Sequence, residues 1–261
     1  MQLGLDLRRA LVTGASRGLG RAIAEALAAE GANVTAVARN LARLEELTSS
    51  RVASAAQGGG TITPRVCDLS DASAIESLGG ALQEADILVI NTGGPPPGPA
   101  ADTSDAVWSK QFESMFLSAM RLTRLALPGM RKRGFGRILV VVSSGVIQPI
   151  PNLGVSNALR SALVGWAKTL AAEVASQGIT VNCIAPGRIA TDRVAELDQG
   201  RAQREGIDVG RVEQESRAAI PAARYGEAAE FAAVAAFLAS PRASYMTGGV
   251  VRVDGGMIRS V

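Results

Sequence analysis

Short, uninterrupted apolar runs alternate with longer helical patterns from one end of the chain to the other, and this alternation constrains the fold more than any other feature. The runs fall at residues 10–13, 33–38, 61–67, 86–90, 137–142, 179–184 and 249–253. Several are continuous Val, Ile and Leu without a polar residue on every second position, as expected of strands covered on both faces of a parallel sheet. Between them lie helical patterns at 19–30, 41–57, 71–83, 105–133, 153–176 and 227–239. Leu159, Leu163, Trp166, Leu170 and Val174 step by four, three, four and four, which makes one stripe on a helix. Strand-helix repetition of this kind predicts an α/β fold: a single doubly wound Rossmann-type domain over residues 1–261, with a seven-stranded parallel sheet and helices on both faces. No linker divides the 261 residues. In such sheets ligands bind at the C-terminal ends of the strands. The Gly- and Pro-rich run at 93–99 follows the fourth strand, cannot continue a helix, and so reads as a loop at that edge.

The inventory of side chains removes several chemistries. The chain has no histidine, so it has no Ser-His-Asp triad, no Cys-His pair and no His-ligated metal. Cys67 and Cys183 are too few for a disulfide framework or a four-cysteine zinc site, and read as buried thiols in a reducing compartment. No metal site is expected. No apolar run approaches the roughly 20 residues that span a bilayer. Asp6, Arg8 and Arg9 stand where a signal peptide would have its apolar stretch, which predicts a cytoplasmic protein with no membrane partner. The formal charge is only +3, and the one dense basic cluster, Arg131-Lys132-Arg133, precedes Gly134 as a cationic helix C-terminus would. Nothing here points to nucleic acid.

The first strand runs into Thr13-Gly14-Ala15-Ser16-Arg17-Gly18-Leu19-Gly20 and then a helix. Glycines let backbone approach a pyrophosphate, and the helix N-terminus supplies free N–H groups and the positive dipole end. An NAD site usually places an acidic residue about 20 residues further on, where it accepts from the ribose 2′-hydroxyl. No acidic residue occurs between Gly31 and Leu44; the second strand ends Ala38-Arg39-Asn40, and Arg17 lies within the glycine loop. Two guanidiniums suit a 2′-phosphate and offer nothing to a hydroxyl, so the expected cofactor is NADP(H).

With these motifs assembled, the sequence resembles the short-chain dehydrogenase/reductase family over nearly its whole length, most closely its 3-oxoacyl-carrier-protein reductase group. Gly14, Ser16, Arg17, Gly18, Leu19 and Gly20 match the TGxxxGxG loop. Asp68 and Leu69 are similar to the segment that contacts adenine, and Asn91, Thr92 and Gly93 to the later part of the NNAG motif. Pro186, Gly187, Ile189 and Thr191 resemble the PGxxxT segment beside the nicotinamide. The resemblance implies that all of these, with Arg39, line an NADP(H) site, and that the substrate is a small carbonyl or alcohol, 3-oxoacyl-like. It also implies a homodimer or homotetramer formed through the helices at 105–133 and 153–176. Residues 189–224 are expected to form a substrate lid. Arg188 and Asp192 beside it read either as substrate contacts or as solvated charge.

The catalytic positions depart from the family. Ser143 matches the catalytic serine. Thirteen residues on, where the family keeps a tyrosine, stands Ser156; four further, in place of lysine, stands Arg160. The asparagine position, seven residues after Trp108, is Met115, and neither Tyr225 nor Tyr245 lies near enough in sequence to fill position 156. An aliphatic hydroxyl does not acidify as a phenol beside an ammonium does. Ser143, Ser156 and Arg160 are therefore expected to run hydride chemistry with weakened or rearranged proton transfer. The alternative is an NADP(H)-binding protein without turnover, acting as a sensor or a partner subunit.

Overall fold

Both parities of the central strands are apolar because both faces of the sheet are covered. The computed structural model describes residues 2–55 and 59–260. Its strands are β1 (Arg9–Thr13), β2 (Asn33–Ala38), β3 (Ile62–Val66), β4 (Ile87–Ile90), β5 (Gly136–Val141), β6 (Ile179–Pro186) and β7 (Val250–Val253). They form one parallel sheet in the order β3-β2-β1-β4-β5-β6-β7. Val12, Val89, Leu139 and Val141 point into one layer, with Ile23, Leu27, Leu44 and Phe231. Leu11, Leu88, Ile90, Ile138 and Val140 point into the other, with Leu82, Leu122, Leu163 and Val174. Helices α1 (Gly18–Ala29), α2 (Leu41–Ala55) and α10 (Ala228–Ala239) cover the first face. On the second lie α3 (Ala72–Glu76), α4 (Gly79–Glu84), α6 (Ser118–Arg133) and α7 (Gly154–Val174). The expected Rossmann-like fold with its seven strands is the observed one.

Two helical expectations are revised, and two helices appear where none was expected. The stretch 71–83 breaks into α3 and α4 around Ser77-Leu78, just before the weak helix formers Gly79 and Gly80. The stretch 105–133 is α5 (Asp105–Gln111), a π-helical segment (Phe112–Leu117) and α6 in succession, ending on Gly134 at φ 60°. Residues 189–224 contain α8 (Asp192–Glu205) and α9 (Val209–Ala218). The last two residues of the stretch expected at 41–57 lie outside the described residues. Among the described residues no helix is long and apolar enough to cross a membrane.

Cys67 and Cys183 are both buried and unpaired, as expected. Burial, then the nearby carboxylates of Asp68 and Asp71, pushes the Cys67 thiol from the usual 9.0 up to about 11. Burial alone pushes Cys183 up to about 12. Folded-state values above the unfolded ones mean that folding disfavours thiolate. That contribution is complete below 9.0 and is lost as pH rises towards 12. We expect both thiols to resist a thiol reagent in the native protein and to react on unfolding, with the urea midpoint falling as pH climbs above 9.0. Fast native-state labelling would contradict this burial.

Candidate functional site

The sheet reverses its winding between β1 and β4, and a crevice opens above their C-terminal ends. Thr13 at the end of β1 ties the two strands together: its hydroxyl lies 3.3 Å from the Val89 and Asn91 carbonyls and accepts the Asn91 N–H at 2.9 Å. Asn91 Nδ2 in turn donates to the Gly14 carbonyl at 3.4 Å. The glycines are required by this closeness. Gly14 has φ +62°, and a Cβ there would lie 2.5 Å from the Asn91 carbonyl; a Cβ on Gly20 would lie 2.2 Å from the Gly14 carbonyl. Helix α1 starts with no side-chain cap at Arg17 and no acid in its first turn, so its leading N–H groups remain for an anion.

The segment after β6 closes one side of this loop. Gly187 N–H donates to the Val253 carbonyl, and a Cβ on Gly187 would meet Asp254, so Pro186-Gly187 packs tightly on the end of β7. The chain then passes through Ile189 to Thr191, whose methyl group lies 3.6 Å from where a Cβ on Gly18 would stand. Helix α8 follows. Its Glu196 and Asp192 lie 3.0 and 3.6 Å from the Arg17 guanidinium, which is half exposed. Arg17 therefore faces α8 as well as the loop. Arg39, at the end of β2, is exposed and makes no ion pair among the described residues. Next to it, Asp68 accepts from the Ser70 N–H (2.9 Å) and hydroxyl (2.8 Å). The backbone bond from Ser70, with help from the Ser70 hydroxyl and the Arg39 charge, holds its carboxyl below the usual carboxylate range. Leu69 packs against the second core layer.

The positions expected to be catalytic gather above the ends of β4 and β5. Ser143 follows β5, and its hydroxyl accepts the Gly145 N–H at 3.1 Å. Helix α7 runs alongside; Asn157 holds the intervening loop by donating to the Ile150 carbonyl at 2.9 Å. Ser156 is 8% exposed, and its hydroxyl bonds to no described residue. One turn on, Arg160 is buried and donates to the Val141 carbonyl at 2.7 Å, with Thr92 and Gly93 carbonyls at 3.5 and 3.4 Å. Thus α7 delivers Arg160 to the gap between β4 and β5. Met115 sits in the π-helical segment, 1% exposed, and packs with Val155 and Leu159 of α7. A thioether in that apolar contact offers nothing to hold a water.

The chain has relatives in sequence and in fold over most of its length. A profile described as Enoyl-(Acyl carrier protein) reductase matches residues 14–258. The 3-oxoacyl-[acyl-carrier-protein] reductase FabG of Salmonella typhimurium is 39% identical, over 95% of this chain and 96% of that protein. This chain belongs to the short-chain dehydrogenase/reductase family. Among solved structures, the L-sorbose reductase of Gluconobacter frateurii, described in complex with NADPH and L-sorbose, superposes with a TM-score of 0.92 at 33% identity, covering all of both chains. YwfH, described as an NADPH-dependent reductase involved in bacilysin biosynthesis, gives 0.92 at 29%, covering 98% of this chain and all of its own.

One group in this short-chain dehydrogenase/reductase was not found from sequence. Arg188, read as substrate contact or solvated charge, is ion-paired with Asp198 of α8, whose side chain is 1% exposed. The Tyr225 hydroxyl donates to the same carboxylate at 2.7 Å. Burial, then that hydrogen bond, raises the Tyr225 phenol above its usual value. Three residues far apart in sequence thus pin α8 over the end of β6. Asp192, the other open position, pairs with Arg17. Tyr225→Phe removes one bond to a buried carboxylate, about 1–3 kcal/mol. It is expected to hasten proteolysis within 189–224 while the urea midpoint of the sheet moves little; an unchanged cleavage rate would show that this bond does not anchor α8.

Proposed function

We propose that the protein is an NADP(H)-dependent oxidoreductase that interconverts a carbonyl and an alcohol, with 3-oxoacyl compounds as the substrate class and a rearranged proton route. The observation that carries the reading is the uncapped glycine loop on β1, placed beside an unpaired Arg39 and below the Ser143–Arg160 gap. Gly14, Ser16, Gly18, Leu19 and Gly20 would cradle the pyrophosphate. Arg39, joined by Arg17, would take the 2′-phosphate, with Asp68 and Leu69 at the adenine. Asn91, Thr92, Gly93, Pro186, Gly187, Ile189 and Thr191 would flank the nicotinamide half. The names of the relatives, a 3-oxoacyl reductase and NADPH-dependent reductases, agree with this choice. Residues 189–224 act as the substrate lid, and copies associate as a homodimer or homotetramer in the cytoplasm.

When bound, the reduced nicotinamide supplies a hydride. This chain's residues then orient the substrate and provide a proton. Ser143 holds the substrate oxygen by hydrogen bonding. Ser156, its hydroxyl free of protein partners, passes a proton from water. Arg160 stays protonated, stabilises negative charge on the oxygen and relays nothing. Without a phenolic acid the rate falls by roughly 10²–10⁴. A second reading, an NADP(H)-binding protein without turnover, is favoured by one observation: Met115, Ser156 and Arg160 leave no group of phenolic acidity at the gap.

NADPH oxidation across 3-oxoacyl thioesters, ketones and sugars tests both. We expect slow turnover by the wild type, tighter binding of NADPH than NADH, and a roughly 10²–10⁴-fold gain on combining Ser156→Tyr with Arg160→Lys. Silence on every substrate with NADPH still bound selects the second reading. Tighter NADH binding would overturn the cofactor assignment.

A further inference from the structure

Two demands meet on the charge of Arg17. It stands at the start of α1, half exposed, and with Arg39 it is given the 2′-phosphate above. Yet its Nη1 already lies 3.0 Å from Glu196 and 3.6 Å from Asp192, both in the first two turns of α8. Glu196 also lies 3.6 Å from Arg193, whose Nη2 donates to the Pro95 carbonyl at 2.7 Å. Two guanidiniums and two carboxylates thus form a neutral cluster beside the glycine loop. Arg39 differs: it is exposed and makes no ion pair among the described residues.

A phosphate, carrying roughly two negative charges at neutral pH, meets those carboxylates at Arg17 in one of two ways. Either it draws the guanidinium off Glu196 and Asp192, so that the contacts it gains are offset by the pairs it breaks, or it takes the remaining N–H groups and stands beside two like charges. Both lower the affinity for a 2′-phosphate, and neither acts on a nucleotide that has a hydroxyl there. The start of α8 is also lightly tied. Thr191, its N-cap, makes no side-chain cap bond, and the buried anchor at Asp198 comes almost two turns further on. Once the Arg17 pairs break, the Arg193 bond to Pro95 is the side-chain hydrogen bond that still ties the first turn to the loop at 93–99.

We propose that Asp192 and Glu196 are specificity-determining residues for the cofactor: by holding Arg17 they keep the preference for NADP(H) over NAD(H) below what two unpaired arginines would give, and a bound 2′-phosphate in turn loosens the start of α8. Coupling between two sites is reciprocal, so the weakening of phosphate binding by the ion pairs equals the weakening of the ion pairs by phosphate. The proposal rests on the reading of Arg17 as a ligand of the 2′-phosphate.

The test is calorimetric titration of the full chain with NADP⁺ and NAD⁺, joined by hydrogen exchange of α8 in the presence of 2′,5′-ADP or 5′-AMP, which carry no nicotinamide. We expect Glu196→Gln to raise the ratio of NADP⁺ to NAD⁺ affinity roughly two- to fivefold, Asp192→Asn to raise it less, and Glu196→Lys to raise it more. NAD⁺ affinity stays constant across the three, which a general disturbance of α8 would not allow. Amides at 192–197 exchange faster with 2′,5′-ADP bound than with 5′-AMP bound, and that difference narrows in Glu196→Gln. An unchanged ratio in both neutral variants overturns the proposal, as does an NAD⁺ affinity that moves in step with that for NADP⁺. So does exchange that is equal or slower with 2′,5′-ADP. Arg17→Met separates this proposal from the reading beneath it. A selective loss of NADP⁺ affinity in that variant keeps Arg17 as a phosphate ligand even where the α8 variants change nothing; an intact preference for NADP⁺ removes both.

Discussion

Because β1 pairs in parallel with β2 on one side and β4 on the other, the connections leaving β1 and β4 must depart to opposite faces of the sheet. Nothing then covers the backbone at their C-terminal ends except the loops themselves. Thr13 and Asn91 satisfy part of that exposed backbone and fix the two strand ends against each other. The glycine loop is a consequence: with Asn91 this close, a side chain at position 14 or 20 has no space. Every group assigned to the site hangs from these two strand ends or their neighbours, so a shift between β1 and β4 would displace all of them together.

Residues 192–218, beside the same crevice, are built largely from charge. Helices α8 and α9 present few apolar residues to the sheet and are laced by Arg201–Glu205, Arg211–Glu215 and Arg217–Glu213 pairs, each exposed and each worth a few tenths of a kcal/mol. Such pairs hold a helix together without committing it to the core. The commitment comes from a few buried residues, Ala202, Val212 and Ile220, and from the buried carboxylate of Asp198, held by Arg188 and Tyr225.

What could be read from the sequence followed the reach of each signal. Strands such as 86–90 and 137–142 were legible because unbroken Val, Ile and Leu have one stable use, a doubly covered sheet. The stripe Leu159, Leu163, Trp166, Leu170 and Val174 was legible because period alone defines it, and all but the half-buried Trp166 are buried. The π-helical segment at Phe112–Leu117 was not, since one extra residue per turn leaves the apolar count unchanged over so short a run. Helices α8 and α9 were missed for lack of an apolar stripe, although Asp208 as N-cap and Gly206 at φ +65° after α8 were readable punctuation. The Arg188–Asp198–Tyr225 cluster had no local signature: its partners are 10 and 27 residues apart and meet only in the fold.

The three altered catalytic positions are one change in space. Val155 and Leu159, which flank Ser156 on α7, are the residues that enclose Met115, and Arg160 follows one turn on. Replacing a phenol by a small hydroxyl leaves volume and removes an acid. A guanidinium four residues away occupies more width than an ammonium and reaches three carbonyls at once. Apolar Met115 withdraws the third polar group from the same wall. Each substitution alone would leave a partner mismatched: a phenol without its ammonium, or a relay water without its amide. Together they place a fixed cation, a small hydroxyl and an apolar side wall side by side.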